Sequence, residues 1–275
     1  MKIKLYQQRW FPWVIALFFI LSGNQLTYGQ GYELKNAREI TLLSVGAAGT
    51  TASILLRNKR EPLRLDEIDN FNINDVFAFD RLSDGSYRKV SRIASDVLLH
   101  SSYALPLTLL AFDETRQDAG TLGVIFLQTI ALNETLTGIT KALVKRPRPY
   151  TYNQGAPEDV RTMRGNNFSF FSGHTSYTAA IAFFTAKTIS DYVDNPTIRK
   201  LAWTGAFLWP AATGYFRYRA GKHFPTDVIV GYIVGASVGY LVPHLHKIQH
   251  TNISLDTGVS HTPLVRPLFR VTLML

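Results

Sequence analysis

Arg217-Tyr-Arg-Ala-Gly-Lys-His223-Phe-Pro225-Thr-Asp227-Val-Ile-Val-Gly231-Tyr-Ile-Val-Gly235-Ala-Ser-Val-Gly239 is the stretch on which both fold and chemistry turn. Its second half is apolar and carries glycine at every fourth position. Three glycines inside a soluble helix would cost about 1 kcal/mol each relative to alanine, so a close helix–helix contact is the better account. Pro225 suits the first turn of that helix, which places His223 just before it and Asp227 inside the first turn. From there the carboxylate can accept from one imidazole nitrogen, fix the tautomer and free the other nitrogen as a nucleophile. The plain alternative is a helix-capping aspartate beside an incidental histidine.

Two further clusters lie upstream. Ser172-Gly173-His174 directly precedes an apolar run, Thr175–Ile189. A helix N-terminus there offers free amides and the positive end of the dipole to an anion, and His174 could give a proton to a departing oxygen. An ordinary N-cap and turn is the competing reading. Lys141-Ala-Leu-Val-Lys-Arg-Pro-Arg148-Pro149 closes another apolar run. Its two prolines should end the helix firmly, with Lys141 in the final turn and Arg148 in the loop, so that both can meet one anion. Taken alone, basic residues at membrane-helix ends mark the interface. Cations for an oxyanion, two imidazoles and a carboxylate, in order at the mouths of helices, make an inventory for phosphoryl transfer.

The rest of the chain reads as helix after helix. Apolar blocks fall at about Ile40–Leu56, Val97–Phe112, Ala119–Ile139, Thr175–Ile189, Leu201–Tyr215 and Val228–Val242, lengths that straddle buried core helices and short membrane spans. Mean hydropathy is only +0.02, because these blocks alternate with charge. The segment 57–92 mixes both charge signs with Ile68, Phe71, Ile73, Val76, Phe77 and Phe79. It reads equally as an amphipathic surface piece or as a connector packed on the domain. Ahead of the blocks, Lys2, Lys4 and Arg9 precede the apolar Trp10–Leu21, and Thr27-Tyr28-Gly29 offers a cut before Gln30. That is the pattern of a secretory signal, with a retained anchor as its rival. The expected organisation is 1–29 signal or anchor, 30–94 apolar block and connector, 95–245 catalytic core and 246–275 polar tail, the last with strand-like runs at Ile253–Leu255 and Leu268–Leu275.

Net charge is +9, yet the cations lie between apolar blocks and no nucleic-acid module is recognisable, which disfavours nucleic acid. The absence of cysteine excludes disulfides, thiolate nucleophiles and zinc–thiolate sites. If the signal is removed and Ile40–Leu56 crosses the bilayer, the three clusters face the cytoplasm. If that block is only embedded, they face the periplasm. Its Gly46, Gly49, Thr50, Thr51 and Ser53 make it the least convincing span, so the expectation is the periplasmic face of a bacterial inner membrane.

The ordered clusters resemble the type 2 phosphatidic acid phosphatase (PAP2) family, related to bacterial class A acid phosphatases and vanadium haloperoxidases. The family signature runs Lys-x6-Arg-Pro, Pro-Ser-Gly-His and Ser-Arg-x5-His-x3-Asp. Lys141 with Arg148-Pro149 matches the first part without change; Phe171 replaces the leading proline of the second and Phe216 the serine of the third. The likeness covers roughly Val97 to Leu241. It implies an all-α helical bundle, membrane-embedded, with the active site at one end. It also implies that Lys141, Arg148, Ser172, Gly173 and Arg217 bind the phosphoryl oxygens, that His223 oriented by Asp227 attacks phosphorus, and that His174 protonates the leaving group. The substrate implied is a phosphorylated lipid, of phosphatidate, isoprenyl diphosphate or lipid A type. The resemblance implies no metal and no cofactor, because fixed cations take the place magnesium holds elsewhere. An exported soluble acid phosphatase, a vanadate-dependent haloperoxidase and a non-enzymatic membrane protein are the alternatives. Lys145, Arg146, Arg219 and Lys222 are expected at the rim, attracting anionic headgroups or simply solvated. The sequence says nothing of oligomeric state.

Overall fold

A computed structural model describes residues 31–83 and 87–248; the expected signal segment and the polar tail beyond 248 lie outside them. Among the described residues the regular structure is all-α. Six long helices are α1 (Asn36–Asn58), α2 (Lys89–Ser102), α3 (Ala119–Val144), α4 (Gly173–Tyr192), α5 (Pro196–Arg219) and α6 (Pro225–His246), with short helical turns between them. Helices α1, α3 and α6, together with α2 and the tight turns that extend it to Ala111, are long and apolar enough to cross a membrane. At 1.5 Å per residue the 22 residues of α6 reach about 33 Å, just more than a hydrocarbon core of roughly 30 Å.

Helix α4 forms the axis, packed by α6, α5, α3 and α2, and buried over most of its length. Its union with α6 explains the glycine stripe. A Cβ on Gly231, Gly235 or Gly239 would meet the carbonyl oxygens of Ser172, Ser176 and Ala180 at 2.5, 2.0 and 2.3 Å. Backbone thus lies on backbone along the full contact, an approach that only glycine permits.

Helix α1 takes in the block expected to be embedded or interfacial. It runs for 23 residues and satisfies the length and apolarity of a span. The small residues that made it look unconvincing are its packing face against α3. A Cβ on Gly46 would meet that of Ala131 at 2.8 Å, one on Gly49 the Thr135 side chain, and Ser53 Oγ donates to Glu134 Oε1 at 3.0 Å. Arg57 and Tyr177 converge on the same Glu134 carboxylate.

The described residues of the segment 57–92 form a connector packed on the domain. Asp69 pairs with Arg161 at 2.8 Å, Asn166 Oδ1 accepts from the Leu63 amide at 3.0 Å, and the wholly buried Asp80 reaches the start of α6. Phe77, Phe79 and Leu82 remain outside, exposed. At the opposite end of the bundle Tyr32 bridges Lys247 and Glu33 N donates to His246 O at 2.9 Å. Residue 31 and the loops carrying the three clusters therefore lie at opposite ends.

Candidate active site

Four chain segments meet at one end of the bundle. Helix α3 stops after Val144 because Lys145 takes a left-handed conformation (φ 52°) and Pro147 and Pro149 cannot continue it. Lys141, in the last turn, is buried, and its ammonium donates to the carbonyls of Phe168 and Phe171 at 3.0 and 2.5 Å. Arg148 donates to Gly165 O at 2.9 Å and Lys222 O at 3.1 Å. Among the described residues neither cation meets a carboxylate. Ser172 caps α4; its amide donates to Asp227 O at 2.9 Å and its hydroxyl lies 2.9 Å from Thr175 Oγ1. Gly173 packs against α3, where an added Cβ would sit 3.3 Å from Thr137 Cγ2 and 3.5 Å from Lys141 Cε.

His223, with 1% of its surface exposed, occupies the turn before α6. Its Nδ1 lies 2.7 Å from Ser169 O. A carbonyl only accepts, so Nδ1 carries the proton and Nε2 keeps a free lone pair. Here the structure departs from the expected arrangement. Asp227 Oδ2 stands 3.7 Å from Nδ1, too far for a hydrogen bond, because its oxygens are already engaged. Oδ2 accepts from Ser169 Oγ at 2.5 Å and Phe224 N at 2.9 Å, and Oδ1 accepts from Arg146 at 2.6 Å. Asp227 thus holds the Ser169 residue whose carbonyl faces the imidazole, and acts on His223 through it. Burial, then the cations of Arg148, Lys141 and Arg217, hold the His223 pKa well below its ordinary 6.5, so the ring is neutral at physiological pH.

His174 and Arg217 share a residue that the sequence did not single out. Asp96, on α2, accepts from His174 Nε2 at 2.9 Å and from Arg217 Nη1 at 3.1 Å, and pairs with Arg92 at 3.1 Å. Ser95 Oγ accepts from Arg217 as well, at 3.3 Å. Arg217 Nε is buried with no hydrogen-bond partner among the described residues.

Of the four cations expected at the rim, Lys145 and Arg219 are exposed, as a rim requires. The other two are corrections. Arg146 lies over the Phe224 ring and bridges Asp227 to Asp80, the latter at 2.6 Å; Asp80 in turn accepts from Thr226 N and Oγ1 at 2.9 and 2.6 Å. Lys222 is 6% exposed, set against the rings of Tyr87 and Tyr150. Asp96, Ser169 and Asp80 carried no motif, being single residues far from the clusters they serve. Among the described residues no group of three or more His, Cys, Asp or Glu side chains is placed to hold a metal ion.

Fold and site together define a membrane-embedded helical bundle with a cationic, two-histidine cradle at one end. The segment that builds most of that cradle, residues 122–250, matches the PAP2 superfamily. The chain is similar to the Lipid A 4'-phosphatase of Porphyromonas gingivalis, 28% identical over 133 residues covering 46% of this chain and 52% of that protein. It is also similar to an Undecaprenyl-diphosphatase of Sulfolobus acidocaldarius, 26% identical over 163 residues covering 57% and 72%. It therefore spans about half the length of the first and under three quarters of the second. A transmembrane PAP2 type phosphatidylglycerolphosphate phosphatase from Bacillus subtilis overlaps 85% of this chain and 94% of its own at 21% identity, with a TM-score of 0.40.

Proposed function

We propose that this protein is a membrane-embedded phosphatase that removes phosphate from phosphorylated lipids through a phosphohistidine on His223. One observation carries the reading: a neutral imidazole with Nδ1 committed to Ser169 O, its Nε2 free, beside a buried Lys141 and a half-buried Arg148 that pair with no carboxylate among the described residues. Buried cations without counter-charge are costly, and a phosphoryl dianion supplies the missing charge. Lys141, Arg148 and Arg217, with the amides at the start of α4, bind the non-bridging oxygens and stabilise the charge of the transition state. His223 Nε2 forms a bond to phosphorus as the bond to the leaving oxygen breaks, and His174 delivers a proton to that oxygen. Water, deprotonated by His174, then attacks the phosphohistidine; the P–N bond breaks and inorganic phosphate leaves. The four apolar spans favour a lipid over a soluble ester as substrate.

The test is phosphate release by detergent-purified protein from phosphatidic acid, undecaprenyl diphosphate and a soluble aryl phosphate, with EDTA present, beside His223→Ala. Release from lipid that the variant loses is the expected result; release undiminished in His223→Ala overturns the mechanism. The side of the membrane follows from α1. With α1 crossing, a periplasmic site requires residue 31 on the cytoplasmic side, and an exported residue 31 puts the site in the cytoplasm. Because the chain has no cysteine, Lys145→Cys gives a single thiol at the site end. Its labelling of intact cells by a membrane-impermeant maleimide marks a periplasmic site, and its protection a cytoplasmic one.

A further inference from the structure

Lys222 is the cation that the proposed mechanism leaves without work. Its ammonium lies 4.8 Å from the ring centroid of Tyr87 and 4.6 Å from that of Tyr150; the two rings meet edge to face, centroids 5.9 Å apart. Among the described residues the ammonium's one hydrogen-bonding contact is Met163 Sδ at 3.7 Å. No carboxylate pairs with it among the described residues, although it is 94% buried (100 − 6). Two tyrosine faces soften the desolvation of an ammonium but fall short of offsetting the burial of an unpaired ion.

Lys222 directly precedes His223 in the turn before α6, and Arg148 Nη1 donates to its carbonyl at 3.1 Å. Its ammonium is therefore a further cation on the segment that carries His223, held between two tyrosine rings rather than by a carboxylate. Charge balance agrees. Arg146 is neutralised by Asp80 and Asp227, and Arg92 and Arg217 share Asp96. Lys141, Arg148 and Lys222 remain. A phosphomonoester brings roughly two negative charges at neutral pH and a lipid diphosphate about one more, enough to match the third cation.

We propose that Lys222, with Tyr87 and Tyr150, forms a second anion subsite that receives the other phosphate of a lipid diphosphate while the phosphoryl group to be transferred lies against His223. This deepens the phosphatase reading and rests on it. The subsite makes Lys222 a specificity-determining residue, and its loss is felt in the preference between substrates.

The experiment uses two substrates with one tail, farnesyl monophosphate and farnesyl diphosphate, with the full chain in detergent as wild type, Lys222→Met and Lys222→Arg. In Lys222→Met the ratio of KM for the diphosphate to KM for the monophosphate rises tenfold or more, and Lys222→Arg restores most of it. An equal change on both substrates overturns the subsite and leaves Lys222 a packing residue. A calorimetric arm needs no turnover: wild type binds methylenediphosphonate at least tenfold tighter than inorganic phosphate, and Lys222→Met loses that margin. Equal binding of the two anions by wild type overturns the proposal even if the methionine variant fails to fold. Absence of turnover on both lipids, with the calorimetric margin intact, sinks the phosphatase reading and leaves the subsite standing.

Discussion

Arg146→Met separates a solvated rim cation from a structural clamp by more than two kcal/mol. Arg146 joins Asp80 and Asp227, whose side chains are 1% and 0% exposed, while its own is 19% exposed. Methionine keeps the unbranched stem and its contact with Phe224 but leaves two buried carboxylates facing each other with no cation. Removing one partner of a buried ion pair costs about 3–5 kcal/mol, whereas a substitution at a solvated rim stays within about 0.5 kcal/mol. The measurement is equilibrium unfolding in mixed micelles followed by tryptophan fluorescence, paired with phosphate release. We expect a loss of at least 3 kcal/mol and a fall in kcat, since Asp227 then loses its fixed position against Ser169, whose carbonyl sets the His223 tautomer. The double variant Asp80→Asn/Arg146→Met removes one of the stranded charges and should recover part of the loss, a coupling of about 0.5–3 kcal/mol. A single variant within 1 kcal/mol of wild type, with kcat intact, would refute the clamp.

Gly235→Ala places a methyl 2.0 Å from Ser176 O, so α6 must withdraw by about 1.4 Å (3.4 − 2.0) to reach ordinary contact. Overpacking of that kind costs about 1–3 kcal/mol and shifts Asp227 relative to Ser172. Gly205→Ala on α5 meets nothing within 4 Å and should gain up to about 1 kcal/mol from helix propensity; unfolding curves of the two variants should move in opposite directions. Asp96→Asn frees His174 and Arg217 from a shared carboxylate, and we expect tenfold or greater loss of kcat on an alkyl phosphate but less on an aryl phosphate, whose leaving group needs little protonation. Equal losses on both esters would mean that Asp96 does not serve the acid. Burial, then Arg148, push the Lys222 pKa from its ordinary 10.5 down to about 6. Between those values the unfolded chain holds a proton that the folded one lacks, so stability of the ligand-free protein should rise with pH across that window. An anion that restores the charge should then bind with proton uptake at pH 7, read from calorimetry in buffers of different ionisation enthalpy. His223, held well below 6.5, adds a loss of stability as pH falls below that value.

The residues legible in the sequence were those whose chemistry is local. Glycine at four-residue spacing foretold the α4–α6 contact, and Pro225 foretold where α6 begins, because each acts through its own backbone. Lys141, Arg148, His174, Arg217 and His223 were legible as types at helix mouths, and the fold brings them to one end. What stayed hidden depends on partners distant in the chain. Asp96 lies 78 residues from His174 and 121 from Arg217; nothing around it, Ser-Asp-Val-Leu on an apolar helix, differs from a helix-surface aspartate. Arg146 and Lys222 looked like interface cations because sequence cannot show which basic residue finds a buried carboxylate and which finds a ring. The packing of helix α1 stayed hidden for a related reason: small and hydroxylic residues weaken an apolar run read alone, but become its packing face once Ala131, Thr135 and Glu134 of α3 lie opposite.

The distribution of carboxylates gives the site its logic. Asp80 and Asp96 come from the connector and from α2, outside the segment that matches the PAP2 superfamily. Asp80 fixes Arg146, which holds Asp227 and through it Ser169, and Asp96 fixes Arg217 and His174. The cations left without carboxylates, Lys141, Arg148 and Lys222, are the ones free to take charge from a ligand. A cradle built only of cations would be driven apart by its own repulsion, since like charges about 4 Å apart repel by roughly 4 kcal/mol at an effective dielectric of 20. A cradle fully paired would have nothing to offer phosphate. The N-terminal part of the chain supplies enough negative charge to hold the geometry and withholds it where the substrate must bind. The matched segment alone therefore carries His223 but lacks the two carboxylates that keep its arginines in position.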